Sequence, residues 1–112
     1  MRIAMPLDEG KLAEHFGHCE QFAFVDVEAE TGTIQKMEAA EPPSHAPGVL
    51  PKWLADHGAD VIIAAGMGSR AQGLFAEQGI RTVIGAPAHT PENLVAAYVA
   101  DTLETGDNLC DH

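Results

Sequence analysis

The run Asp60-Val61-Ile62-Ile63-Ala64-Ala65 constrains the fold of this chain more than any other stretch. It is continuous, apolar and β-branched, so both of its faces need cover, as in a central strand of a parallel sheet. Helical periodicity flanks it on each side. Before it, Val49, Leu50, Trp53 and Leu54 fall on one helical face, and Gly58 suits the left-handed position that ends a helix. Pro51 restricts the start of that helix to within about a turn of itself. After it, Gly66-Met67-Gly68-Ser69 turns into a helix carrying Ala71, Leu74, Phe75 and Ala76, closed by Gly79. Ile80 to Ile84 reads as another buried strand. Thr90-Pro91-Glu92 supplies an N-cap, a proline at the first helical position and an acid in the first turn. The helix that starts there is expected to reach about Thr105, with Leu94, Val95, Tyr98, Val99 and Leu103 inward.

The N-terminal half has a different period. Arg2 to Leu7 reads as a short buried strand stopped by Pro6 and the polar Asp8-Glu9-Gly10, and Lys11 to Cys19 reads as an ordered loop. Gln21 to Glu28 places Ala23, Val25 and Val27 on one face and Phe22 and Phe24 on the other, a strand covered on both sides. Glu30-Thr31-Gly32 turns it back into a hairpin partner at Thr33 to Ala39. A proline-rich connector, Glu41 to Pro47, leads to the first helix. The expected architecture is α/β: a mixed five-stranded sheet, an antiparallel hairpin joined to parallel strands, flanked by three helices. Residues 1–105 should form one domain and 106–112 a mobile tail.

Composition narrows the function. The chain has 112 residues, 46% of them apolar, which supports a packed core. No apolar run reaches the roughly 18 residues of a membrane helix, and the start is not a signal peptide. Two cysteines without an export signal point to a reducing cytoplasm with free thiols, a Cys19–Cys110 disulfide being the alternative that the sequence leaves open. A formal charge of −11 argues against nucleic acid, whose phosphates it would repel.

Chemistry-bearing residues gather in three places. His15-Phe16-Gly17-His18-Cys19 brings two imidazoles and a thiol into five residues, ligand types that transition metals prefer. A loop in which Phe16 plugs the core while His15 and His18 bond backbone carbonyls would use the same residues, and spacing does not separate the two readings. Cys110-Asp111-His112 is a second such group at the end of the sequence. The turn Gly66-Met67-Gly68-Ser69-Arg70 follows a buried strand and opens a helix, so amides and a cation face outward there. A tight turn that needs glycine is the plain alternative. Met5 and Met67 each end a strand. If those strands are neighbours the two thioethers converge, although methionine most often fills core gaps. No Ser/His/Asp arrangement, phosphate-binding loop or nucleophile elbow is present. Asp8, Glu9, Asp26 and Asp60 leave a two-metal nuclease as a reading to test, weakened because Asp60 begins its strand.

Ile3 to Pro6, His15-Phe16-Gly17, Phe22 to Val25, Gly66-Met67-Gly68, Phe75 and Gly79-Ile80 together resemble the dinitrogenase iron–molybdenum cofactor biosynthesis family. The resemblance spans nearly the whole chain. It implies a ribonuclease-H-like α/β fold without nuclease activity, and non-covalent carriage of a preformed metal–sulfide cluster. Among family members, a short stand-alone domain is most similar to the orange-protein type, which holds a molybdenum–copper sulfide; an iron–molybdenum–sulfur precursor is the other cargo implied. The resemblance further implies cluster donor and acceptor proteins and MinD-like P-loop ATPases as partners. It stops at Gly17, so a ligand role for His18 and Cys19 rests on their chemistry. The combined expectation is a non-catalytic, cytoplasmic carrier with its pocket at the C-terminal ends of the first and fourth strands. Gly66, Met67, Gly68, Ser69 and Arg70 should face the cluster's charge, with Met5 nearby. His15, Phe16, Gly17, His18 and Cys19 should line the other wall. Binding through neutral imidazole or thiolate should weaken as pH falls through the histidine range. The competing class is a metal-free module that docks on an ATPase.

Overall fold

The computed structural model describes residues 1–14, 19–28, 30–43 and 49–106. In chain order the elements are β1 (Arg2–Asp8), β2 (Lys11–Leu12), β3 (Gln21–Val27), β4 (Ile34–Ala40), α1 (Val49–Asp56), β5 (Val61–Ala64), α2 (Ser69–Glu77), β6 (Arg81–Ile84) and α3 (Pro91–Val99). The sheet runs β4-β3-β1-β5-β6, with β2 attached to β1. β3 is antiparallel to both β1 and β4, whereas β5 is parallel to β1 and to β6. This mixed sheet with helices on both faces is the ribonuclease-H-like arrangement that the resemblance implies.

Connection handedness sets the layers. β4 to β5 and β5 to β6 both join parallel strands while moving the same way across the sheet, so right-handed crossovers place α1 and α2 on one face. Leu50, Leu54 and Phe75 accordingly pack on Ala4, Phe22, Phe24 and Ile62. α3 returns on the opposite face, where Leu94 and Val95 meet Ile3, Met5, Val25 and Ile63. Alternation along β3 divides its side chains between these two cores as its sequence requires.

Three features differ from expectation. Pro6 does not stop β1, which continues to Asp8 with Pro6 opposite Phe22. The segment after β1 is not all loop, because Lys11–Leu12 pairs back on β1, with Asp8 opposite Lys11 and Leu7 opposite Leu12. Glu9 (φ 52°) and Gly10 (φ 80°) form the two-residue connection, and positive φ at both positions is what a primed hairpin turn demands. Glu-Gly is a weaker signal for that turn than Asn-Gly or Asp-Gly. Among the described residues the sheet therefore has six strands instead of five.

The last helix also stops at Val99, short of Thr105. The Asp101 N–H donates to the Tyr98 carbonyl and the Thr102 N–H to that of Ala97, the paired bonds of a Schellman end. Gly58 and Gly79 end α1 and α2 with the same pattern. At the third end the left-handed residue is Asp101 (φ 58°), not a glycine, which hid the terminus in the sequence.

Candidate functional site

Parallel strands collect their C-terminal ends at one edge of a sheet, and open α/β sheets bind ligands outside that edge. Here the edge gathers the end of β1, the start of β3, the Gly66–Arg70 turn after β5 and Gly85 after β6. His15, Phe16, Gly17 and His18 lie outside the described residues, but the chain on either side of them is tied to this edge. Ala13 N–H donates to the Pro6 carbonyl (2.9 Å) and Leu12 N–H to that of His89 (3.0 Å). Glu20 N–H is shared between the Leu7 carbonyl (3.1 Å) and Asp8 Oδ1 (2.9 Å).

Cys19 is half-buried and packs against the core layer that contains Met67, so the loop after β1 and the turn after β5 share one apolar floor. Burial pushes the Cys19 thiol up to about 11, and the nearby Asp8 carboxylate adds to that. A backbone hydrogen bond with Leu7 offsets part of the rise. At neutral pH Cys19 is therefore a thiol and not the thiolate that its sequence context left open.

The turn after β5 divides sharply in exposure. Gly66 and Met67 are buried, whereas Gly68, Ser69 and Arg70 are exposed. The Gln72 side-chain amide donates to the Met67 carbonyl (3.0 Å), and the Gln72 N–H donates to the Gly68 carbonyl (3.1 Å). Gly68 occupies the N-cap of α2 at φ −66°, ψ 155°, an extended geometry open to any residue. An added Cβ there would meet nothing within 4 Å among the described residues. Neither backbone strain nor internal packing thus requires glycine at 68. Its consequence is electrostatic: with no side-chain acceptor at the cap, the first-turn amides of α2 lack the capping hydrogen bond that Ser, Asp or Asn would provide. An uncapped helix N-terminus beside the Arg70 cation is suited to an anion.

The two methionines do not converge. β1 and β5 are neighbours, but Met5 is fully buried in the α3-side core and Met67 in the α1/α2-side core. Alternation along β1 groups Met5 with Ile3 and Leu7, whereas Met67 lies beyond the end of β5, where the turn carries it out of the Ile63 and Ala65 alternation into the core of Ile62 and Ala64.

The four acids of the nuclease reading are also split. Asp8 ends β1 at the candidate edge, and Glu9 opens the turn that follows it. Asp26 and Asp60 sit at the other end, tied to Arg2. Arg2 grips Asp26 through Nε (2.8 Å) and Nη2 (3.0 Å), and its N–H donates to Asp60 Oδ2 (2.9 Å). That guanidinium holds the Asp26 carboxyl below its usual range. No group of three or more His, Cys, Asp or Glu side chains that could hold a metal ion occurs among the described residues.

Sequence reasoning passed over Gln72, which fastens the turn, and Gly85. The latter has φ +85°, and its carbonyl accepts the Gly106 N–H at 2.7 Å. The chain after α3 is thereby brought back to the candidate edge. Cys110 and His112 lie outside the described residues, four and six positions beyond this anchor. A glycine directly after a buried strand was the available signal for residue 85.

Comparison with known proteins agrees with this frame. The family described as dinitrogenase iron-molybdenum cofactor matches residues 1–101. An uncharacterised protein of Methanocaldococcus jannaschii is 35% identical over 85 residues, covering 71% of this chain and 70% of its own length. The crystal structure of PH0822 superposes with a TM-score of 0.88 at 29% identity over the full length of both chains. The apo form of the orange protein from Desulfovibrio gigas has a TM-score of 0.73 at 22% identity, over 96% of this chain and 93% of that one, and so shares the fold. The chain belongs to the dinitrogenase iron–molybdenum cofactor family.

Proposed function

We propose that this protein is a non-catalytic carrier that holds an anionic metal–sulfide cluster at the C-terminal edge of β1 and β5. The observation that carries the reading is Gly68: a residue the fold does not require to be glycine leaves the N-terminus of α2 uncapped and open beside Arg70. A sulfide-rich anion accepts hydrogen bonds from such amides and gains from the local positive end of the helix. The neutral Cys19 thiol fits the same cargo, since a thiolate there would add a charge that repels an anion. Asp8, Glu9, Glu14 and Glu20 crowd the β1 side of the edge, which directs an anion toward the glycine turn. His15, Phe16, Gly17 and His18 would form the remaining wall, and Cys110 and His112 would come within reach from the Gly106 anchor. Four residues of extended chain span about 14 Å.

A molybdenum–copper sulfide is the favoured cargo and an iron–molybdenum–sulfur precursor the other, delivered and collected by partner proteins in the cytoplasm. P-loop ATPases of the MinD-like kind are the partner class proposed. Among the described residues no helix is long and apolar enough to cross a membrane.

The test combines anaerobic loading with thiomolybdate and Cu(I), read by visible absorption and metal content, and the variant Gly68→Asp. An aspartate at the cap satisfies the first-turn amides from within and should stabilise α2 by about 0.5–1 kcal/mol, while its charge excludes the anion. The expected result is a more stable protein that takes up cluster at least about tenfold more weakly, a cost of roughly 1.4 kcal/mol in binding. Unchanged uptake would refute the site. Protein that stays colourless and metal-free under every loading condition would favour the docking module instead.

A further inference from the structure

Among the described residues β4 forms one border of the sheet, paired with β3 alone, and every residue in it except Ala40 is exposed. Two of its apolar side chains stand in solvent, Met37 at 48% and Ile34 at 37% exposure. Beside Met37 on the α3 face lies a groove of about 300 Å³, lined by Leu7, Ala23, Ala39 and Pro91. Exposed edges usually defend themselves with charge, most often lysine, against pairing with another chain. Lys36 fits that role by position, but Glu38 lies two residues along on the same face, and its carboxylate is 2.8 Å from the Lys36 ammonium.

The Lys36–Met37–Glu38 pattern is self-complementary. Rotating a second copy about a two-fold axis that lies beside Met37 on the open side of β4, perpendicular to the sheet, makes the two β4 strands antiparallel neighbours with one Met37 opposite the other. Lys36 then lies opposite Glu38 of the second copy, Glu38 opposite its Lys36, and the two Met37 side chains meet over the grooves. Directly opposed residues in an antiparallel pair point to the same face, so a two-fold axis between the strands must be level with a residue and not with the gap between two residues. The adjacent registers, centred on Lys36 or on Glu38, would each oppose like charges, which destabilises a strand pair.

We propose that β4 is a self-association edge, with two copies of this chain joined antiparallel about Met37 into one continuous sheet. The interface stands independently of the cluster site, which lies at the C-terminal edge of the parallel strands. Its ladder is short, because the β3–β4 register slips between Asp26 and Val27 and leaves Gln35 without an opposite residue. A bulge there twists the strand away from further pairing. Association is therefore weak and reversible, and the charge of −11 on each copy makes it depend on added salt for screening.

Sedimentation of the full chain from about 10 μM to about 1 mM, at an ionic strength near 0.15 M or above, tests this. Wild type should pass from monomer to dimer across that range. Lys36→Glu opposes two like-charged pairs and should weaken the dimer by about tenfold or more. The double swap Lys36→Glu with Glu38→Lys restores complementarity and should return association to near the wild-type level. All these side chains are exposed, and far-ultraviolet circular dichroism confirms that each variant is folded. A wild type that is monomeric throughout, a single variant that dimerises as wild type does, or a double swap as weak as the single one would each overturn the proposal.

Discussion

Gly85→Ala offers a direct test of how the chain after α3 is held at the candidate edge. Residue 85 has φ +85°, where a Cβ crowds the backbone and costs about 1–2 kcal/mol in any L residue. A Cβ built there also collides with the Gly106 carbonyl oxygen and lies 2.9 Å from its carbon, so the strand end or the returning segment must shift. That shift breaks the 2.7 Å hydrogen bond from Gly106 N–H to the Gly85 carbonyl, worth about 0.5–1.5 kcal/mol net. The expected loss is about 2–3 kcal/mol, a large share of the total stability of a domain this size. Gly58→Ala provides the control, because Gly58 has a similar φ of +78° with nothing within 4 Å of an added Cβ. It should lose only the conformational part. Urea denaturation of both variants, with hydrogen exchange at the Gly106 amide, separates the contributions. Equal losses in the two variants, or a Gly106 amide as protected in Gly85→Ala as in wild type, would refute the anchoring. If Gly85→Ala also lowers cluster uptake while Gly58→Ala does not, the tail that carries Cys110 and His112 takes part in binding.

Two further outcomes follow from the same structure. Met5→Ala and Met67→Ala should each cost about 2–5 kcal/mol, and their double mutant should be additive to within about 0.5 kcal/mol because the side chains belong to separate cores; coupling above 1 kcal/mol in denaturant titrations would restore the convergent pair. Cys19 has its thiol raised from 9.0 to about 11, so the folded state keeps its proton while the unfolded chain releases it. The stability associated with this neutral thiol is complete below pH 9 and is lost as pH rises toward 11, by on the order of 1–2 kcal/mol once half-exposure is allowed for. Cys19→Ala should flatten that part of the stability curve, and a wild-type curve no steeper than that of Cys19→Ala between pH 9 and 11 would contradict the burial argument.

Most of the fold was legible because its signals are local. The β-branched run at Val61–Ile63, the two-sided pattern of Phe22 to Val27 and the glycines at 58 and 79 each announce their element within a few residues. Lys11–Leu12 was missed because its turn uses Glu9 at positive φ, and the end of α3 was overrun because Asp101 stands where glycine usually does. In both cases a non-glycine residue adopts a left-handed conformation that neighbouring structure stabilises.

The candidate site divides along the same line. Periodicity alone places the glycine turn at the start of a helix after a central strand, and hence near the C-terminal edge of the sheet. Strand pairing settles which groups share a face there. It separates Asp8 from Asp26 and Asp60, while the turn after β5 sends Met67 to the core opposite Met5 and onto the floor that Cys19 shares. The sequence by itself determined the element order, the mixed sheet and the chemistry of the loops, since these depend on periods of two and 3.6 residues and on local turn geometry. Only the tertiary structure decided which side chains meet, that Cys19 stays protonated, that Gly68 is not demanded by its own backbone, and that β4 remains open. Burial, electric field and exposure are sums over residues distant in the chain, and no local pattern encodes them.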